Sequence, residues 1–325
     1  MHIVVCTKQT PDSAAKLTVD EAGNVSWGDS PIIINPCDEY AVEEALLIKE
    51  KQGDDVQVTV ISMGPEEALE ALKHAIAMGC DKAVRIWDVD SGARRQVLTG
   101  HRGEVQDLQF TPDGARLLSS SWDRTIRVWR VASGALEREL RGHGAGVRSI
   151  DLAPDGDTLA SGSGDGTVRL WSLGSGQQTR QLEGHESTVT SVSFGPDGAA
   201  LASGSYDRTV RLWQLRAGTT RVVGRHRGRV YQVAFHPSGQ LLGSAGSDSV
   251  ARLWDLRRGR SVVLAAHDQN VNGIDFSASG ELAATASDDG SVRLWRVPSG
   301  QPVWRAAVYA AAPPRLHTHR GWVLG

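Results

Sequence analysis

Lysine is missing from the last three-quarters of this chain, and arginine from the first quarter. Residues 1–82 hold all 6 lysines and no arginine, whereas residues 83–325 hold all 29 arginines and no lysine. The three cysteines and three methionines also stop before residue 83. Residues 1–82 carry 15 Asp and Glu, a net charge of −9, and residues 83–325 carry 23, a net of +6, so the total of −3 conceals two opposite segments. Function is therefore read separately for each.

Other absences exclude whole classes of protein. No apolar run approaches the roughly 18–20 residues of a transmembrane helix. The opening Met-His-Ile-Val-Val-Cys lacks the basic region and small-residue cleavage site of a signal peptide, and has the pattern of a first strand. Cys6, Cys37 and Cys80 have neither disulfide nor metal spacing, which predicts reduced structural thiols in a cytoplasmic protein. His317 and His319 have no further ligands near them and define no metal site. With 22% charged and 40% hydrophobic residues, the 325-residue chain has the composition of a soluble globular protein of one or two domains.

From residue 83 onward the chain repeats itself. A tryptophan closes each unit, at Trp87, Trp129, Trp171, Trp213, Trp254 and Trp295, with spacings of 42, 42, 42, 41 and 41. A histidine opens each unit, at His101, His143, His185, His226 and His267. Between them recur turn-forming segments such as Thr-Pro-Asp-Gly (111–114) and Gly-Pro-Asp-Gly (195–198), in which Pro presets φ and Gly accepts positive φ. They separate alternating strand patterns such as Val-Gln-Asp-Leu-Gln-Phe (105–110) and Arg-Leu-Leu-Ser-Ser-Ser (116–121). Four short strands per repeat make one propeller blade.

This stretch resembles the WD40 family: Gly-His opens repeats at 100–101, 142–143 and 184–185, and Trp-Asp closes them at 87–88 and 254–255. The resemblance implies a buried hydrogen-bonded tetrad in each repeat. The five sets are His101/Ser119/Asp123/Trp129, His143/Ser161/Asp165/Trp171, His185/Ser203/Asp207/Trp213, His226/Ser244/Asp248/Trp254 and His267/Thr285/Asp289/Trp295. A buried indole N–H, imidazole and carboxylate are each costly unless paired, and one relay satisfies all three. Ser, His and Asp in isolation suggest a hydrolase triad, but five copies at one period predict a structural use and a chain that is not an enzyme.

The fold expected is mainly β: five complete blades over residues 94–297 and an incomplete sixth, so that the ring is open or imperfectly closed. The sixth would combine Val84–Trp87 with a fourth strand at Pro302–Ala306 and with His319–Val323, which echoes His101–Val105. The organisation is an N-terminal module over 1–82, a propeller over 83–306 and a tail over 307–325. Arginines two residues before each blade tryptophan (Arg85, Arg127, Arg169, Arg211, Arg252, Arg293) are expected to face solvent, without the stripe that binds nucleic acid. Protein contacts are expected on the loops beside the opening histidines, at Trp122, Tyr206 and Asp288 and at Glu104, Thr188, Arg229 and Asn270. Aromatic and arginine side chains are the usual anchors there, Trp122 and Tyr206 first.

Residues 1–82 alternate differently. His2–Thr7 and Val56–Met63 have the composition of buried strands. Asn35, Pro36 and Asp38 form the capping sequence of a helix over 36–52, and Gly64-Pro65 opens a second helix to Met78. The order strand–helix–strand–helix–strand predicts a parallel, Rossmann-like α/β half-domain. Ile3–Asp12, Ile34–Leu46, Ser62–Pro65 and Ala75–Ala83 are similar to the N-terminal part of the electron transfer flavoprotein beta subunit family. That resemblance implies AMP or FAD as cofactor, an alpha-type partner subunit, and a nucleotide pocket formed by Cys6, Asn35, Pro36, Cys37, Asp38 and Met63. Against it, the turn after the first strand lacks Gly-x-Gly-x-x-Gly, and Glu66 and Glu67 would repel a phosphate at the second helix. Met78–Asp88 fits both families at once, which explains a fusion without a linker. A non-catalytic interaction scaffold is therefore expected, with a redox carrier subunit or a fusion fragment without settled function as the alternatives; neither a membrane nor a nucleic-acid partner is expected.

Overall fold

The computed structural model describes residues 94–307 continuously, together with residues 2–7, 9–11, 18–19, 25–26, 32–34, 57–63 and 83–87. Among these residues every regular element is a strand. The chain divides into two compact units, residues 1–104 with Gly325, and residues 105–324.

In the first unit, β1 (His2–Thr7), β2 (Gln9–Pro11), β3 (Thr18–Val19), β4 (Val25–Ser26) and β5 (Ile32–Ile34) precede β6 (Gln57–Met63), β7 (Ala83–Trp87) and β8 (Arg94–Thr99). One sheet has the order β1-β6-β7-β8, and two short antiparallel pairs join β2 to β5 and β3 to β4. Strands β1 and β6 run parallel, with Ile3 opposite Val58 and Val5 opposite Val60. A third parallel strand was expected next; instead β7 runs antiparallel to β6, with Ile61 opposite Ile86, and antiparallel to β8. It follows the rule of the repeats, where a third strand opposes both of its neighbours. The helices expected over 36–52 and 64–78, and the tail beyond 307, lie outside the described residues.

The second unit is five four-stranded antiparallel sheets. The first is β9 (Val105–Phe110), β10 (Arg116–Ser121), β11 (Thr125–Arg130) and β12 (Leu136–Arg141). The second is β13 (Val147–Leu152), β14 (Thr158–Ser163), β15 (Val168–Ser172) and β16 (Gln178–Leu182). The third is β17 (Val189–Phe194), β18 (Ala200–Ser205), β19 (Thr209–Gln214) and β20 (Thr219–Arg225). The fourth is β21 (Val230–Phe235), β22 (Leu241–Gly246), β23 (Ala251–Asp255) and β24 (Arg260–Leu264). The fifth is β25 (Val271–Phe276), β26 (Leu282–Ser287), β27 (Ser291–Arg296) and β28 (Gln301–Ala307). The sheets thus run over 105–307 rather than 94–297, offset by one strand. Gly134 and Gly300, at φ 68° and 70°, turn each fourth strand back onto its third, so Pro302–Ala306 closes the fifth sheet instead of belonging to a sixth.

Consecutive sheets pack face to face with their first strands adjacent, the arrangement of a β-propeller. Leu118, Ile126, Val128 and Leu140 of the first sheet meet Val147, Ile150, Leu159 and Trp171 of the second. Ala202 and Val210 of the third meet Val230, Val233, Leu242 and Trp254 of the fourth in the same way. The approach is close enough to demand glycine: a Cβ on Gly204 would stand 2.6 Å from Val230 Cγ1.

A polar ladder links the first strands. Asp107 accepts the Ile150 N–H at 2.9 Å, Ser191 the Val233 N–H at 3.1 Å and Gln232 the Ile274 N–H at 3.0 Å. Each first strand also carries a bulge at its second residue. The ladder register skips Gln106, Arg148, Thr190, Tyr231 and Asn272 in turn, although the Thr190 hydroxyl donates to the Gly204 carbonyl of the second strand at 3.0 Å. A bulge of this kind re-aims the side chain that it carries.

Candidate functional site

The hairpin between the second and third strands is built the same way in four of the five sheets; in the fourth, Gly246 takes the place of the serine. A serine hydroxyl accepts the N–H of the tetrad aspartate, as in Ser163 with Asp165 at 3.2 Å and Ser205 with Asp207 at 3.0 Å. The carboxylate then accepts the N–H two residues on, Thr167 at 2.9 Å and Thr209 at 2.8 Å. One variable residue precedes the aspartate: Trp122, Gly164, Tyr206, Ser247 or Asp288.

The tetrad fastens this hairpin to the loop that opens the repeat. Trp171 Nε1 donates to Ser161 Oγ at 2.8 Å, Ser161 Oγ meets His143 Nε2 at 2.8 Å, and His143 Nδ1 meets Asp165 Oδ2 at 2.9 Å. The chain is satisfied when the serine O–H donates to Nε2 and Nδ1–H donates to the carboxylate. His185, His226 and His267 make the same contacts with their own partners, at 2.7–2.9 Å. In the first set Trp129 Nε1 donates to Ser119 Oγ at 2.8 Å, Asp123 accepts the Thr125 N–H at 3.0 Å, and His101 is buried.

Burial pushes the imidazoles of His143, His226 and His267 below their usual range, and the Asp hydrogen bonds pull back only in part. For Asp165, Asp207 and Asp289 burial acts upward, yet hydrogen bonds from the histidine, the neighbouring hydroxyl and backbone N–H groups outweigh it and hold the carboxyl well below its usual range. Ser161, Ser203, Ser244 and Thr285 are 0% exposed, so no substrate can reach those hydroxyls. The tetrads support the loops and have no open nucleophile.

On that support lies a row of stacked aromatic and guanidinium groups. The Arg148 guanidinium carbon is 4.1 Å from the centre of the Trp122 ring and 5.8 Å from that of Tyr206. Arg229 lies over the other expected anchor, 4.7 Å from the Tyr206 centre, and Tyr231 meets the same ring edge-on at 6.2 Å. Trp122 is 41% exposed and rests on Gly146, where a Cβ would come within 2.6 Å of the indole. Of the residues named from sequence, Trp122, Tyr206 and Arg229 are therefore joined in one patch. Asp288 belongs elsewhere, bonded by the side-chain amides of Asn270 and Asn272, and Thr188 contributes its carbonyl to the Tyr206 N–H. Glu104 is exposed, in the first unit. Sequence reasoning missed Arg148 and Tyr231; the signal was their place immediately after the first-strand valine, where the five repeats differ completely.

Arg127, Arg169, Arg211, Arg252 and Arg293, two before their tryptophans, are buried or half-buried rather than facing solvent. Arg127 is 9% exposed and pairs with Glu139 at 2.9 Å, and Arg252 lies 5.9 Å from the Trp254 ring centre and 3.8 Å from Asp248. Residues two apart on a strand share a face, and the tryptophan face is the buried one.

Of the residues expected to line a nucleotide pocket, Cys6 and Met63 lie on the paired strands β1 and β6, and Asn35, Pro36, Cys37 and Asp38 fall outside the described residues. Among the described residues no group of three or more His, Cys, Asp or Glu is placed to hold a metal ion.

The WD domain, G-beta repeat model matches residues 92–130, 134–172, 176–214, 219–255 and 260–296, more than half of the chain. The chain belongs to the WD40 repeat family. Ahead of these WD40 repeats, an electron transfer flavoprotein domain model matches residues 29–95. The same end is 46% identical over 101 residues to the electron transfer flavoprotein subunit beta of Clostridium acetobutylicum, covering 31% of this chain and 38% of that protein. It is 44% identical over 86 residues to the Bacillus subtilis subunit of that name (26% and 32%). It is also 43% identical over 86 residues to the acryloyl-CoA reductase electron transfer subunit gamma of Anaerotignum propionicum (26% and 32%). The WD40 chain thus spans about a third of the length of these curated relatives.

Proposed function

We propose that this protein is a non-catalytic scaffold that binds other proteins through the face of its WD40 repeats that carries the tetrad loops. The observation that carries this reading is the row Trp122–Arg148–Tyr206–Arg229, held on loops that four hydrogen-bonded tetrads stiffen. Exposed aromatic and arginine side chains on a rigid frame give large contact area at low entropic cost, the character of interface hot spots. In this reading residues 1–82 form one module, 83–306 the propeller and 307–325 a tail, and the unpatterned cysteines favour a reducing, cytoplasmic setting. Affinity capture with the intact chain tests it. A partner retained by wild type and by Pro154→Ala, in the turn at the opposite end of its sheet, is expected to be lost by Trp122→Ala and Tyr206→Ala. Equal retention by all four proteins would remove the reading.

A second reading is favoured by the 46% identity of the N-terminal segment to an electron transfer flavoprotein subunit. In it that segment binds AMP or FAD beside an alpha-type partner, with Cys6 and Met63 near the nucleotide. Visible flavin absorbance of the purified chain, or AMP released on denaturation, supports it; a colourless, nucleotide-free preparation speaks against it.

A further inference from the structure

Arg148 and Arg229 are set apart by the aromatic rings they stack on, with no carboxylate at ion-pair distance among the described residues. Among the described residues Arg127 pairs with Glu139 and Arg116 with Glu137, and Arg169 and Arg252 approach tetrad aspartates. The Arg148 guanidinium stacks on Trp122 and Tyr206 and that of Arg229 on Tyr206; the Arg148 Nε is buried without an acceptor, as are those of Arg127, Arg169 and Arg252. Stacking fixes the plane of a guanidinium and leaves the edge of its fork free, the geometry that takes a carboxylate in two parallel hydrogen bonds.

The backbone beneath carries a second sign. Arg124 and Arg208, which follow the aspartates next to Trp122 and Tyr206, hold φ of 72° and 73°. Gly166 and Gly290 occupy the same turn position in the second and fifth sheets, at 79° and 73°, and Ser249 in the fourth, at 62°. An L side chain in the left-handed region brings Cβ too close to the following carbonyl oxygen, so arginine is less favourable there than glycine. The two hairpins that bear an aromatic anchor both place an exposed arginine at this left-handed position, where the other sheets have serine or glycine, and both additions are cationic. Strain retained at a surface position is a pointer to function.

We infer that the row Trp122–Arg148–Tyr206–Arg229, flanked by Arg124 and Arg208, binds an extended acidic segment of a partner protein. This rests on reading that face as a protein-contact surface, and it adds the chemistry of the partner. Arg148 and Arg229 both lie within 5.8 Å of the one Tyr206 ring centre. Carboxylates at i and i+2 or i+3 of an extended chain are roughly 7–10 Å apart, a span that two guanidiniums sharing a ring can meet. Acidic side chains separated by one or two residues are the pattern recognised, and the exposed part of Trp122 covers an apolar residue beside them.

The test is fluorescence anisotropy of the intact chain with a labelled peptide of alternating Glu and Ser ending in Phe, against the same peptide with Gln for Glu. The Glu peptide is expected to bind, to weaken as salt rises, and to lose about tenfold in affinity with either Arg148→Gln or Arg229→Gln. Equal binding of the Gln peptide, lost in Trp122→Ala, would keep the contact face and overturn the acidic assignment. Tighter binding of a single-stranded oligonucleotide of matched charge would overturn it in favour of nucleic acid. No binding of either peptide would overturn the acidic assignment alone, since capture of a partner by wild type but not by Trp122→Ala reports on the face independently. Circular dichroism of each arginine variant separates loss of binding from loss of fold.

Discussion

The Arg148 guanidinium carbon stands 4.1 Å from the centre of the Trp122 ring, across the junction of the first and second sheets. A cation over an exposed indole contributes about 0.5–1 kcal/mol. A double-mutant cycle with Trp122→Leu and Arg148→Met, read by urea denaturation, is expected to give a coupling of that size. The single variants fall within about 1 kcal/mol of wild type, because both groups lie at the surface.

Arg208→Gly relieves the left-handed arginine at φ 73°. The gain is offset by the larger unfolded-state freedom of glycine, so a net stabilisation of up to about 1 kcal/mol is expected. Thermal denaturation measures it, and a loss of stability would show that the arginine makes compensating contacts.

Ser203→Ala removes the acceptor of Trp213 Nε1 and the partner of His185 Nε2 together. Two buried polar groups are left unsatisfied, at about 1–3 kcal/mol each. The loss of melting temperature is expected to exceed that of Trp122→Ala several-fold, although the serine change removes only one oxygen.

Protonation works in two directions. His143, His226 and His267 have lowered folded-state values, so their contribution is complete above the usual 6.5 and is lost as pH falls through the folded values. Asp165, Asp207, Asp248 and Asp289, also lowered, add a second loss below the usual 3.8. Asp275 has the opposite sign: burial pushes its carboxyl up to about 7, with the Phe276 N–H opposing and Asp151 adding to the rise, and its Oδ2 has no partner. Its contribution is present below the usual 3.8 and is lost as pH rises through about 7. Asp275→Asn is expected to stabilise by about 1–3 kcal/mol above pH ~7, with the gain vanishing near pH ~4. Chemical denaturation across that range measures both signs.

Much of the repeat region was legible because its signals are periodic. The spacing of Trp129, Trp171, Trp213, Trp254 and Trp295 located the third strands, and the tetrads followed from the same phase. The offset of the sheets was not, since a fourth strand such as Leu136–Arg141 alternates weakly and looks alike whether it closes one sheet or opens the next. Trp122 and Tyr206 stood out as aromatics in a loop. Arg148 did not, because an arginine inside a strand pattern looks like an ordinary solvent-facing residue until the bulge is known. The buried setting of Arg127 was recoverable from its two-residue offset to Trp129, which outweighs the usual preference of arginine for water.

The skipped register at Gln106, Arg148, Thr190, Tyr231 and Asn272 has an evolutionary reach beyond geometry. Glutamine, arginine, threonine, tyrosine and asparagine all stand at this position while the backbone ladder on either side of it keeps the same register. Each repeat thereby keeps one freely rewritable letter, and a new specificity can arise by point substitution at such a letter without redesigning the sheet that displays it.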